Sequence, residues 1–168
     1  LELYFKKEGN LNEIEKTLHE FGDVWIWIAF DPINKVVIGF IVGRRGRNEA
    51  NQLLEAIKGR TDDTIPFFTS DDLNQYENAI LKVYGIKEEV ERTGERGRPR
   101  KPKLVPSPDL KYAKIKKVRE NGRVVKVETE VVFGSEDDVK TAIGQSPVSK
   151  HVNNSFVERN NLTMREGK

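Results

Sequence analysis

Two uninterrupted apolar runs dominate the hydropathy pattern of this chain. Val24-Trp25-Ile26-Trp27-Ile28-Ala29-Phe30 is followed, after Asp31-Pro32-Ile33-Asn34-Lys35, by Val36-Val37-Ile38-Gly39-Phe40-Ile41-Val42. β-branched and aromatic runs around a Pro/Asn turn predict an antiparallel hairpin. Their lack of alternation predicts interior strands with both faces covered. Asp31 ahead of Pro32 suits an Asx-type turn. Trp25 and Trp27 share one strand face and read as core rather than as ligand platforms.

Upstream, residues 2–6 form a short candidate strand, and residues 9–22 read as a loop or a short amphipathic helix with Leu11, Ile14 and Leu18 on one side. Downstream, Ala50, Leu53, Leu54 and Ile57 repeat at helical spacing and predict a helix over 48–57 that ends near Gly59. Residues 66–69 predict a short buried strand. Tyr76, Ala79, Ile80 and Val83 predict a second helix ending at Gly85, with Asp72 as its better capping candidate. Residues 91–108 are Gly/Pro-rich and basic and predict a long flexible loop. A second hairpin is expected over 112–133, because Asn121-Gly122 is a strong two-residue turn signal and Val125, Val127, Thr129 and Val131 alternate with polar positions. One face of that hairpin should be wet. A polar connection or helix over 134–144 and a final helix after Pro147 complete the order.

With 168 residues, of which 36% are hydrophobic and 33% charged, the composition fits one soluble domain with a real core. No apolar run is long enough to span a bilayer, and the N-terminal residues lack the regions of a signal peptide, so no membrane partner and a cytoplasmic location are expected. The chain begins with Leu and ends inside a helical pattern, and it reads as a fragment. It has no cysteine and only His19 and His151, so any metal would be held by oxygen ligands, which suits Mg²⁺ or Mn²⁺. Neither histidine carries a partner pattern. A net charge of +2 does not by itself argue for nucleic acid, which shifts attention to where the charge lies.

Two acids stand out. Asp71, between Ser70 and Asp72, follows the short strand and can project from a sheet edge; the competing use of such an acid is a helix cap. Glu158 lies in Ser155-Phe156-Val157-Glu158-Arg159-Asn160-Asn161-Leu162-Thr163-Met164-Arg165. Helical spacing puts it on one face with Asn154, Asn161 and Arg165, whose amide and guanidinium groups could bind phosphate. Its plainer use is a surface acid paired with Arg159 or Arg165. No phosphate-binding Gly-rich loop, nucleophile elbow or zincin motif is present.

The loop contributes a different signal. Arg96-Gly97-Arg98-Pro99-Arg100-Lys101-Pro102-Lys103 resembles an AT-hook element, in which Gly admits the backbone to the minor groove and arginines enter its negative potential. From Arg92 to Lys103 six basic residues face one acid, Glu95. A solvated linker and an RNA-binding or nuclear signal would share this composition.

Taken together, Trp25 to Val42 with Gly43-Arg44-Arg45, Phe67-Phe68-Thr69-Ser70-Asp71-Asp72 with Tyr76-Glu77, and Ser155 to Leu162 resemble a DDE-type transposase of the smallest class of bacterial and archaeal insertion sequences. The last stretch is the most specific, and the resemblance covers nearly the whole chain. It implies one α/β domain over 1–168, an RNase H-like mixed sheet with an antiparallel opening hairpin, flanking helices and an inserted second β-hairpin. It implies Asp71 and Glu158 as catalytic ligands of Mg²⁺ or Mn²⁺. Double-stranded DNA would be the partner of Arg96, Arg98, Arg100, Lys101, Lys103, Arg159, Asn161 and Arg165, with the protein acting as a homo-oligomer on the nucleoid. Glu2-Leu3-Tyr4 matches the tail of the family's first acidic motif, where Leu1 stands in place of the Asp. Three expectations therefore compete: an active transposase domain, a DNA-binding remnant without chemistry, and another RNase H-like nuclease.

Overall fold

The computed structural model describes residues 2–3, 8–18, 24–62, 64–89 and 102–166. Among them are five α-helices and three sheets, one of mixed direction, an α/β architecture. The chain divides into two compact units, Leu1–Asp62 with Ser155–Lys168, and Asp63–Asn154. No helix among the described residues is long and apolar enough to cross a membrane.

The first unit holds an antiparallel sheet in the order β1 (Glu2–Leu3), β2 (Val24–Asp31), β3 (Val36–Gly43). A 3-10 turn at Glu8–Asn10 and helix α1 (Glu13–Leu18) lie between β1 and β2. The hairpin expected around Asp31 forms. Asp31 Oδ1 accepts from the Ile33 and Asn34 backbone N–H groups at 2.8 and 3.4 Å, and Oδ2 accepts from Asn34 Nδ2 at 2.6 Å. Partial burial raises the Asp31 carboxyl pKa, but these hydrogen bonds together outweigh it and leave the pKa below its ordinary value.

Helix α2 (Arg47–Lys58) packs on β2 and β3 through the predicted stripe, with Ala50, Leu53, Leu54 and Ile57 all buried. Each large side chain so buried contributes on the order of 1.5–3 kcal/mol. Trp27 joins this core at 4% exposed, whereas Trp25 is only half-buried. Helix α5 (Ser155–Glu166) packs against β2. The expectation that both hairpin strands are covered on both faces is overturned for β3: Val36, Phe40 and Val42 are exposed, Phe40 at 63%. Phe40 and Val42 alternate with Gly39 and Gly43, which face α2, a distinction that an unbroken apolar run hides, whereas Val36 opens the strand beyond a register irregularity.

The second unit is built on a mixed sheet. Strand β4 (Phe68–Asp71) runs parallel to β7 (Tyr112–Glu120), which pairs antiparallel with β8 (Arg123–Phe133). Asn121 and Gly122 at φ 48° and 79° make the two-residue turn, the left-handed pair a type I′ hairpin requires. Helix α3 (Asn74–Tyr84) buries Ala79, Ile80 and Tyr84, with the Phe68 and Tyr84 ring centroids 5.1 Å apart. Tyr112, Leu110 and Ala113 are fully buried, and Phe133 lies 5.9 Å from Tyr112. Helix α4 (Glu136–Gln145) starts in a capping box: the Ser135 hydroxyl accepts from the Asp138 N–H, and the Asp138 carboxylate accepts from the Ser135 N–H.

Three further expectations differ from the structure. The short strand spans Phe68–Asp71 rather than 66–69, so Asp71 closes the strand instead of following it. Its extent is set by pairing with residues far away in sequence, Phe68 with Tyr112 through Asp71 with Ile115. Asp72 does not cap α3; the cap position is Leu73, with no side-chain cap hydrogen bond, and Asp72 is drawn instead to Lys114. The basic stretch is not irregular throughout, because β6 (Lys103–Val105) pairs antiparallel with β5 (Ile86–Glu88).

Candidate functional site

The parallel pairing of β4 with β7 sets Ser70 beside Lys114 and Asp71 beside Ile115. At the C-terminal end of β4 the chain turns into α3, whose first turn carries Glu77. Three carboxylates, Asp71, Asp72 and Glu77, thereby act on two buried polar groups of β7. The Ser70 hydroxyl lies 2.7 Å from Tyr112 Oη and donates its proton to the Asp71 carbonyl oxygen at 2.7 Å. Since that proton is committed, the Tyr112 hydroxyl donates to Ser70 Oγ. Burial pushes the Tyr112 phenol up to about 12; the Ser70 hydrogen bond opposes this, and the charges of Asp71, Glu77 and Asp72 add to it.

Lys114 is 7% exposed, with its ammonium 3.2 Å from Asp72 and 3.5 Å from Glu130. Lys116 also pairs with Glu130. Burial pushes the Lys114 pKa down, but the Asp72 hydrogen bond and the charges of Glu130, Asp72 and Glu77 together raise it above its ordinary value. The hydrogen bond with Lys116, followed by the charge of Lys114, holds Glu130 below the usual carboxylate range. The assembly therefore sets the Lys114 and Lys116 ammoniums against the Glu130 carboxylate, beside a phenol that burial keeps protonated.

Glu158, the other candidate acid, is exposed in the first turn of α5, where a carboxylate complements the partial positive charge of a helix N-terminus. Asp71 lies in the second unit and Glu158 in the first. Arg159 is exposed on α5, and Arg165 lies within the same helix. Asn161 Oδ1 is buried with no hydrogen-bond partner among the described residues. Asn154 precedes the helix rather than sharing its face. Arg96, Arg98, Arg100 and Lys101 lie outside the described residues, and Lys103 opens β6 with its side chain exposed. Among the described residues no group of three or more His, Asp or Glu side chains gathers to hold a metal ion.

The sequence reading missed Lys114, Tyr112 and Glu130 as members of this assembly. The hairpin turn could have pointed toward them, but counting outward from Asn121-Gly122 pairs Lys114 with Thr129. An irregularity between Val118 and Arg119 shifts the register so that Lys114 opposes Glu130. No family model, curated protein or solved structure matches the chain.

Proposed function

We propose that this chain is the catalytic domain of a DDE-type transposase with an RNase H-like fold, acting on DNA phosphodiesters. The observation that carries the reading is Asp71, which ends β4 beside Asp72 and Glu77, where the sequence resemblance puts the second catalytic acid. The order of the opening hairpin, α2, β4 and α3 along the chain supports it, while among the described residues β4 pairs with β7 and not with the opening hairpin. Asp71 and Glu158 are the residues that would hold Mg²⁺ or Mn²⁺, and an all-carboxylate donor set suits these hard ions. The ion, when bound, would neutralise charge on the phosphate and make water a better nucleophile. Asp71 and Glu158 would act through the ion they hold, because carboxylates alone repel an anionic phosphodiester. Water would first break the P–O3′ bond and leave a DNA 3′-hydroxyl, which would then attack a second phosphodiester and release the 3′-hydroxyl of that strand. Arg159, Asn161 and Arg165 would lie near the DNA, and the basic stretch from Arg96 to Lys103 would hold the duplex by its phosphates. A homo-oligomer on DNA, in the cytoplasm, belongs to the same reading.

A second reading, a DNA-binding remnant without chemistry, is favoured by Leu1 at the position where the resemblance expects the first Asp. One experiment separates the two. Supercoiled DNA is incubated with Mn²⁺ and either the chain or its Leu1→Asp variant, and strand nicking is followed. Nicking that is lost in Asp71→Asn and Glu158→Gln, with DNA affinity retained, supports the enzyme. Intact DNA with both proteins overturns the catalytic assignment and leaves the remnant.

A further inference from the structure

The turn joining β3 to α2 reads Gly43-Arg44-Arg45-Gly46-Arg47, three arginines in four positions, all exposed. None of them forms an ion pair with a carboxylate among the described residues, in a chain with 27 acidic residues to draw on. Unneutralised charge of this density on a protein of net charge +2 forms a local positive field that does not follow from the overall composition.

The turn is also held rigidly. Trp27 Nε1 donates to the Arg44 carbonyl oxygen at 3.0 Å, which ties the backbone to a core side chain. The Arg45 guanidinium lies 4.8 Å above the Trp25 ring. This contact places the charge over the ring without an acceptor for its N–H donors, which remain for oxygen acceptors. Beneath the turn sits Glu49 from the first turn of α2. A Cβ at Gly43 would lie 2.8 Å from Glu49 Cγ, and one at Gly46 would lie 2.7 Å from Glu49 Oε2. The absence of a Cβ at both positions leaves room for this side chain against the backbone. The Glu49 carboxylate therefore lies against the backbone of the turn and not against its guanidiniums.

We propose that Arg44, Arg45 and Arg47 form a contact site for the sugar-phosphate backbone of a nucleic-acid duplex. Three guanidiniums within four residues, one of them held over Trp25, match a regular array of phosphates better than a single small anion, and forked donors suit phosphate oxygens. No apolar side chain lies within the turn to enter a lipid surface. That the duplex is DNA rests on the proposed function; the contact site itself does not require cleavage.

The test measures anisotropy of a labelled duplex DNA with the full chain, without divalent metal, between about 50 and 200 mM salt. The variant Arg44→Ala/Arg45→Ala/Arg47→Ala should bind more weakly, with a log–log salt slope shallower by roughly 2 to 3, about 0.9 for each phosphate that is no longer neutralised. The control Lys35→Asn/Lys58→Ala/Arg60→Ala removes the same charge at the far ends of the hairpin and α2 and should retain the wild-type slope. Asn serves at position 35 because its φ is 56°. If the triple variant fails to fold by circular dichroism, Arg44→Ala/Arg47→Ala keeps the Arg45 contact with Trp25, and its slope should fall by about 2. An unchanged slope in the turn variant, equal loss in the control, or loss of binding to phosphatidylserine vesicles in place of DNA overturns the proposal. Because no cleavage is read, an inactive chain that still binds through the turn refutes only the catalytic assignment.

Discussion

Tyr112 donates its phenolic proton to Ser70, which passes its own hydrogen bond to the Asp71 carbonyl at the end of β4. The phenol is fully buried and its pKa is pushed up to about 12, from an ordinary 10. The folded state therefore holds this proton more tightly than the unfolded chain. Stability is whole below pH about 10 and is lost as the pH rises toward 12, on the order of 2–3 kcal/mol. Lys114, also raised, acts in the same direction above its ordinary 10.5. Urea unfolding of wild type and Tyr112→Phe across this window checks the claim. The variant should lose less stability with rising pH, and parallel alkaline declines would count against it.

Part of that shift comes from the Asp71 charge. Asp71→Asn should lower the Tyr112 pKa, read as an earlier rise of tyrosinate ultraviolet absorbance that is missing when Tyr112→Phe is added. An unaltered titration would mean that Asp71 does not act on the phenol.

The Lys114–Asp72 pair joins a buried ammonium to a half-exposed carboxylate 3.2 Å away. Screening at Asp72 limits the coupling to about 1 kcal/mol, above an exposed surface pair and well below a fully buried one. A double-mutant cycle of Lys114→Met and Asp72→Asn, followed by denaturant unfolding, measures this term directly. Strict additivity of the two single changes would show no coupling.

Leu53 is 2% exposed and central to the stripe by which α2 meets its sheet. Leu53→Ala should cost about 2–5 kcal/mol, because removed methyl groups leave a cavity that the helix and strands only partly close. Thermal or urea unfolding reads the loss. A cost below about 1 kcal/mol would mean that this side chain is not held in a packed core.

Gly122 sits at φ 79° at the tip of the second hairpin with nothing near its absent Cβ. The cost of Gly122→Ala is therefore backbone strain alone, about 1–2 kcal/mol. Gly122→Asn, which tolerates the left-handed region, should recover much of it. Equal stabilities of the Ala and Asn variants would contradict this account.

Local pattern alone accounts for much of the architecture. The helical stripe at Ala50, Leu53, Leu54 and Ile57, the Asx turn at Asp31 and the Asn121-Gly122 hairpin each follow from interactions within a few residues, and all are present. Such features need no partner elsewhere in the chain, so they remain legible in one dimension. That the Glu49 side chain lies against the backbone at Gly43 and Gly46 is visible only in the folded helix.

What tertiary structure decided is the register and the partners of charges. Asp72 has the composition of a helix cap, yet its carboxylate goes to Lys114, which a parallel strand pairing brings from roughly forty residues away. A single irregularity beside Val118 moves Lys114 from Thr129 to Glu130 and converts a neutral neighbour into an ion pair. Phe40 and Val42 look interior in an unbroken apolar run but face outward, because a strand sends alternate side chains to opposite sides and α2 covers one of them. Long-range pairing selects among locally equivalent choices, and a one-residue shift reverses every side chain that follows.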